Sequence, residues 1–299
     1  MPSSPDDSGN SRLETKVQRR GLDRRWVVHG DLKNQSFDLA PADGKDLKVF
    51  FEHCRLDSVD FSSMSFRSFY AAASSFSRCD FSGTRFVQMG FGQAQIQKDW
   101  GRPIRPRDPR YEQTVYQECL FRQTRFDPNN TYFGNVRFVR CVFDRAWLRK
   151  LFTWTAEFIE CTFIGKVIDC VFHGTITDLE DQQRIGRSTN AFAGNDFREA
   201  DLIWTAFRGI DLAAQKWPET GTYAILMDPA RRIERAMGLA ESHLAGDLQA
   251  EVLRQLGIQK QLIREERQML IRRGELAFEA PAEVDDLMWA YLTDESIEP

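Results

Sequence analysis

The residues of this chain with the most obvious capacity for chemistry are six cysteines, four histidines and one arginine-rich segment. Thiols at suitable spacing hold zinc or pair as disulfides. The spacing here argues for neither. Cys54, Cys79, Cys119, Cys141, Cys161 and Cys170 each lie two residues before a large apolar residue, namely Leu56, Phe81, Phe121, Phe143, Phe163 and Phe172. A metal or disulfide set would place some cysteine outside that register. A small hydrophobe fitted to a tight interior slot accounts for all six. Cys119, Cys141 and Cys161 are therefore expected as a ladder of free thiols. Parallel stacked side chains seldom have disulfide torsion, and a reducing cytosol keeps thiols apart.

The histidines, His29, His53, His173 and His243, are far apart and share no motif. Glycine-rich phosphate loops and nucleophile elbows are absent. The Asp285-Asp286 pair falls on a helix expected to be exposed. No catalytic, cofactor-binding or metal residue is nominated, and the chain is expected not to be an enzyme. The arginine-rich segment, Gln97–Gln113, holds Trp100, Arg102, Arg105, Arg107 and Arg110 among three prolines. Arginines beside a tryptophan suit phosphate or carboxylate recognition and are enriched at interfaces. A solvated loop with Trp100 tucked against its neighbours is the other reading.

The element that must position these residues is visible in the 23 phenylalanines. Large apolar residues recur every fifth position: Phe51, Leu56, Phe61, Phe66, then Phe76, Phe81, Phe86, Phe91 and Ile96. Ala71 is the small exception. The series resumes at Tyr116, Phe121 and Phe126, slips by two residues, and continues through Phe133, Phe138, Phe143 and Leu148. Thr153 is a miss before Phe158, Phe163, Val167 and Phe172, and the last run is Phe192 to Leu212. A slimmer residue sits two positions before most of these. Five matches neither a helix nor an alternating strand. It matches a chain that turns a corner every five residues. Four corners make a roughly square coil, and each coil pairs with the next at about 4.8 Å. Phe61, Phe81, Phe121, Phe143 and Phe163, with Cys119, Cys141 and Cys161, are expected as its core.

Val59-Asp60-Phe61, Cys79-Asp80-Phe81, Asn195-Asp196-Phe197, Ala200-Asp201-Leu202 and Ile210-Asp211-Leu212 carry a further signal. A small residue, Asp or Asn, Leu or Phe and two variable residues form the motif of the pentapeptide-repeat family. The chain resembles that family over about residues 47–217, with Leu32 and Phe37 as an earlier, broken coil. The resemblance implies a mainly β fold, a right-handed quadrilateral β-helix. It also implies binding in place of catalysis, since some members resemble duplex DNA in width and charge and bind DNA gyrase.

Three regions are expected. Residues 1–25 read as a disordered, basic tail with Arg19, Arg20, Arg24 and Arg25. Residues 26–217 read as the β-helix, broken at 97–113 and at 173–190, the second break being a loop or short helix. Residues 218–299 read as α-helical. Asp228-Pro229 starts one helix, a second is expected from about Asp247 to Arg273, and a third over Pro281–Leu292. These helices could cap the open end of the solenoid or form a homodimer contact.

Net charge is −4. Residues 47–217 carry 23 basic and 20 acidic groups, residues 218–299 carry 9 and 16, and the first 46 are balanced at 8 and 8. DNA mimicry needs an acidic surface, and the repeat region is slightly basic. A nucleic-acid ligand would need basic residues clustered on an ordered face, so direct nucleic-acid binding is not expected. No apolar run reaches a membrane span of roughly 18 residues, and the N-terminus lacks a secretory signal, so a cytoplasmic protein is expected. The primary reading is a scaffold for a protein partner. The alternative is a DNA-mimicking modulator of gyrase or another DNA-binding protein.

Overall fold

The computed structural model describes residues 19–20, 23–24, 26–34, 47–92, 112–128, 131–219, 221–263 and 266–294. It is mostly β, with parallel sheets and a few helices, consistent with a β-helical repeat fold. No described helix is long and apolar enough to cross a membrane.

The period of five has a backbone cause. Two residues after an inward residue the chain enters the left-handed region, as at Ser58, Arg78, Glu118, Arg140 and Glu160. One such residue redirects the strand by a corner. Uninterrupted coils return after twenty residues, so Leu56 pairs with Phe76 and Phe138 with Phe158. Four inward columns result. The first runs through Leu56, Phe76, Tyr116, Phe138, Phe158 and Phe192. In the second, the rings of Phe61, Phe81, Phe121, Phe143, Phe163, Phe197 and Trp217 stack near-parallel, with centroids 4.5 to 5.2 Å apart. The third is Phe66, Phe86, Phe126, Leu148, Val167 and Leu202. The fourth ends in Thr153, Phe172 and Phe207.

The slim positions are chemically specific. Their side chains donate to carbonyls one coil away: Thr84 Oγ1 to Phe61 O at 2.8 Å, Thr124 Oγ1 to Phe81 O at 2.8 Å, Cys119 Sγ to Phe76 O at 3.4 Å and Cys141 Sγ to Tyr116 O at 3.3 Å. All six cysteines are free and buried. The recurring Asp accepts the N–H two residues on, as Asp60 does from Ser62 and Asp80 from Ser82, both at 2.8 Å. That local turn is what makes Asp useful there.

Two irregularities have physical reasons. Ala71 is small because Phe69 fills that interior place, against Phe66, Phe86 and Phe91, after a register shift. Thr153 is buried, its Oγ1 accepting the His173 N–H and donating to Val171 O.

The ends depart from expectation. Within the expected tail, Arg19–Arg20 pairs antiparallel with Asp23–Arg24. Trp26–Lys33, inside the region expected as β-helix, belongs to the coil and pairs parallel with Leu47–Asp57. Residues 174–190 contain a short helix, Leu179–Ile185. Past residue 218 the region is not wholly helical. The helix expected to reach Arg273 ends at Leu262, and Gln268–Arg272 is a strand, antiparallel to Tyr223–Met227. Alternation explains the change. Tyr223, Ile225 and Leu270 face the coil core, while Ala224, Leu226, Met269 and Ile271 face the helices Pro229–His243, Gly246–Leu262 and Ala282–Thr293. A two-stranded sheet therefore covers the coil's end, with helices behind it. Asp285 is also not exposed: it is buried and accepts N–H bonds from Gly274, Leu276 and Ala277.

Candidate functional site

Of the arginine-rich segment named from the sequence, residues 97–111, with Trp100, Arg102, Arg105, Arg107 and Arg110, lie outside the described residues, and its last two, Glu112 and Gln113, lie within them. Phe61, Phe81, Phe121, Phe143, Phe163, Cys119, Cys141 and Cys161 lie in the core. Burial pushes the Cys54 thiol up to about 11 and the Cys170 thiol up to about 12, and raises Cys119 and Cys161 as well, while hydrogen bonding to the neighbouring Cys119 thiol lowers Cys79. The four raised thiols are protonated and buried, and such a thiol is neither nucleophile nor ligand.

What the coil does offer is an aromatic surface on the fourth column. Thr153 points inward, so its neighbours Phe152 and Trp154 point outward, 49% and 44% exposed. Their rings stack at 5.8 Å, and Trp154 stacks in turn on His173 at 4.3 Å. Strand register places Phe152 beside Val171 and then Ala206, and His173 beside Arg208. Tyr132, outward beside Phe133, extends the aromatic surface toward the N-terminal coils. A cleft of about 500 Å³ opens over Phe152, Trp154, Val171, His173 and Arg208. Its far wall comes from the C-terminal region. Arg208 donates to Leu262 O at 2.9 Å and pairs with Glu266 at 3.8 Å, and Glu266 accepts the Gly209 N–H at 2.9 Å. Glu266 is thus a joint between coil and C-terminal region.

A buried ionic node holds this surface in place. Glu157, 3% exposed, accepts Arg137 Nε at 2.6 Å, Gln113 Nε2 at 2.7 Å and the Ala191 N–H at 2.9 Å, with Arg187 at 3.6 Å. Burial opposes its ionisation. The Arg137 guanidinium, the Ala191 N–H, the Arg187 charge and the Gln113 amide outweigh that and hold its carboxyl below the usual range. Arg187 also donates to Thr155 O at 2.7 Å, and Asn190 donates to Trp154 O at 3.0 Å and His173 O at 2.7 Å. The segment after the second interruption is thereby fastened to the backbone that carries Trp154.

Sequence reasoning followed the inward register and so passed over Phe152 and Trp154. The signal was present: a small inward residue flanked by two aromatics inverts the repeat's own pattern.

No protein-family model matches the chain, and no curated protein matches it. Among solved structures, three comparisons are informative about likeness. A trypsin-treated variant of QnrB1, a plasmid-mediated fluoroquinolone resistance protein, is 13% identical over 63% of this chain and 79% of its own, with a TM-score of 0.23. Full-length QnrB1 is 12% identical over 64% and 91%, with a TM-score of 0.22. HetL from Nostoc sp. strain PCC 7120, a pentapeptide repeat protein involved in heterocyst differentiation regulation, is 15% identical over 64% and 90%, with a TM-score of 0.20. Scores this low carry no argument about what this chain binds.

Proposed function

We propose that this chain is a non-catalytic scaffold, a right-handed quadrilateral β-helix, that binds a protein partner through the aromatic cleft of its fourth column. One observation carries the reading: Phe152 and Trp154 are about half exposed on a rigid strand surface, beside Arg208, at the mouth of a cleft. A coil that buries its other described phenylalanines gains nothing for folding by leaving these two in water. Contiguous exposed apolar surface with a polar rim marks an interaction site. Trp, Phe and Arg are the residue types enriched where protein partners dock.

The DNA-mimic alternative has less support. Mimicry needs outward acidic columns, and the outward residues of the third column include Arg85, Arg125, Arg149 and Lys166 against the two acids Asp127 and Asp201.

Affinity capture from host lysate tests the proposal, comparing the wild-type chain with a Phe152→Ser, Trp154→Ser double variant. The expected result is a protein retained by the wild type and lost by the variant, with the purified protein rebinding only the wild type. Identical retention by both would remove the cleft from the account. Purified gyrase subunits belong in the same experiment. Gyrase binding that ignores both substitutions would favour the mimic.

A further inference from the structure

The third column carries a second surface with different chemistry. Register sets its outward positions. Arg85 pairs with Arg125, Arg125 bridges Trp147, and the Leu148–Val167 pair places Trp147 beside Lys166. Arg149 points outward two residues after Trp147, and Arg145 sits at the corner before it. Four successive coils thus present Arg85, Arg125, Trp147 and Lys166 in one line along the axis. A cleft of about 370 Å³ opens beside them, lined by Arg145, Trp147, Arg149 and Lys166 over Leu148 and Ile168. Its lining holds three cations besides the indole and no carboxylate.

Two features of this surface go unused by the fold. Trp147 is 61% exposed, and the Arg125 guanidinium lies 5.1 Å from its ring centre. Arg149 and Lys166 form no ion pair with a described residue, whereas Arg122 and Arg145 share Asp144. The nearby acids are Asp127, one coil before Arg149, and Asp201, which Arg272 engages at 2.9 Å. Neighbouring cations repel one another, and an exposed indole costs free energy. A ligand with regularly spaced anions and flat apolar rings relieves both.

We infer that the third-column surface binds single-stranded nucleic acid, with phosphates on Arg125, Arg145, Arg149 and Lys166 and a base stacked on Trp147. Coils repeat at about 4.8 Å, so a strand laid along the axis meets a cation or the indole at each of the four coils from Arg85 to Lys166, between Ser65 on one side and Asp201 on the other. Base stacking on an aromatic side chain beside a basic groove is the general mode of sequence-tolerant single-strand binding, and the Arg125 charge over the indole adds a cation–π contribution. Duplex DNA hides its base faces, and sulfated polysaccharides have none. An anionic bilayer would want several apolar side chains at one level, and this column exposes one. The site is separate from the aromatic cleft and does not depend on the protein-binding proposal.

The test is fluorescence anisotropy of a labelled oligothymidylate with the full chain, at two salt concentrations. Saturable binding that weakens with salt is expected. Trp147→Ala should weaken it about tenfold or more while leaving the salt slope unchanged, because it removes stacking and no charge. Trp147→Phe should restore most of the affinity. An Arg149→Glu, Lys166→Glu double variant should abolish binding and Phe152→Ser, Trp154→Ser should leave it intact, with melting by circular dichroism confirming that each variant folds. Four results would overturn the proposal: no saturable binding, a Trp147→Ala variant that binds as the wild type does, heparin or duplex competing as well as unlabelled oligothymidylate, or binding to phosphatidylserine vesicles in place of the oligonucleotide.

Discussion

Gly92 and Gly238 stand in opposite surroundings. A Cβ on Gly92 would lie 2.4 Å from the carbonyl oxygen of Asn135 and 2.6 Å from the Val136 nitrogen. Both are backbone atoms of the next coil, so nothing can swing aside. Gly238 is exposed on the helix Pro229–His243, where an added Cβ would meet nothing within 4 Å beyond the helix's own backbone. Gly92→Ala is expected to destabilise the chain by about 1–3 kcal/mol through overpacking. Gly238→Ala should stabilise it by up to about 1 kcal/mol through helix propensity. Urea midpoints of the two variants give the comparison, and equal shifts would contradict the packing at Asn135. The same scale shows how a residue's type reports its place. Thr153 looked like a defect in the repeat, yet its hydroxyl serves backbone groups of the neighbouring coil and its inward orientation turns Phe152 and Trp154 outward.

At the scale of the element, Glu157 ties four coils together, its own and those of Gln113, Arg137 and Ala191. Its carboxyl is held below the ordinary Glu value, so its contribution is present above that value and is lost as pH falls through the depressed one. Glu157→Gln should cost roughly 3 kcal/mol near neutral pH, since it leaves Arg137 and Arg187 without their buried partner. The gap between wild type and variant should then narrow below about pH 4, as the wild type loses the same charge. Denaturant titrations across that range check this, and a gap independent of pH would contradict the assignment. The elements also differ in how far they could be read in advance. The coil was legible because each pentad repeats the same local problem: a corner, an inward ring, a slim donor. The strands Tyr223–Met227 and Gln268–Arg272 were not. Each is short, and its alternation shows only once the coil end and the helices supply two apolar surroundings. Ile263 and Leu270 lie seven apart, which suits a helix face equally well.

For the whole molecule, the coil's sides are chemically distinct. The second column stacks aromatic rings inside and sets Asx turns outside. The third presents cations around Trp147, and the fourth presents Phe152 and Trp154 against the C-terminal joint. Charge totals averaged these sides into a repeat region only slightly basic, which is why neither surface could be located from composition. The central claim is that the fourth-column cleft receives a protein. Site-specific photocrosslinking in the host tests it most directly, with a benzophenone side chain at position 152 and, as control, at position 55, which is exposed beside the first column. The account expects a discrete adduct from position 152 that disappears when Trp154 is also replaced by Ser, and none from position 55. An adduct of equal strength from both positions, or one from 152 that survives Trp154→Ser, would contradict it.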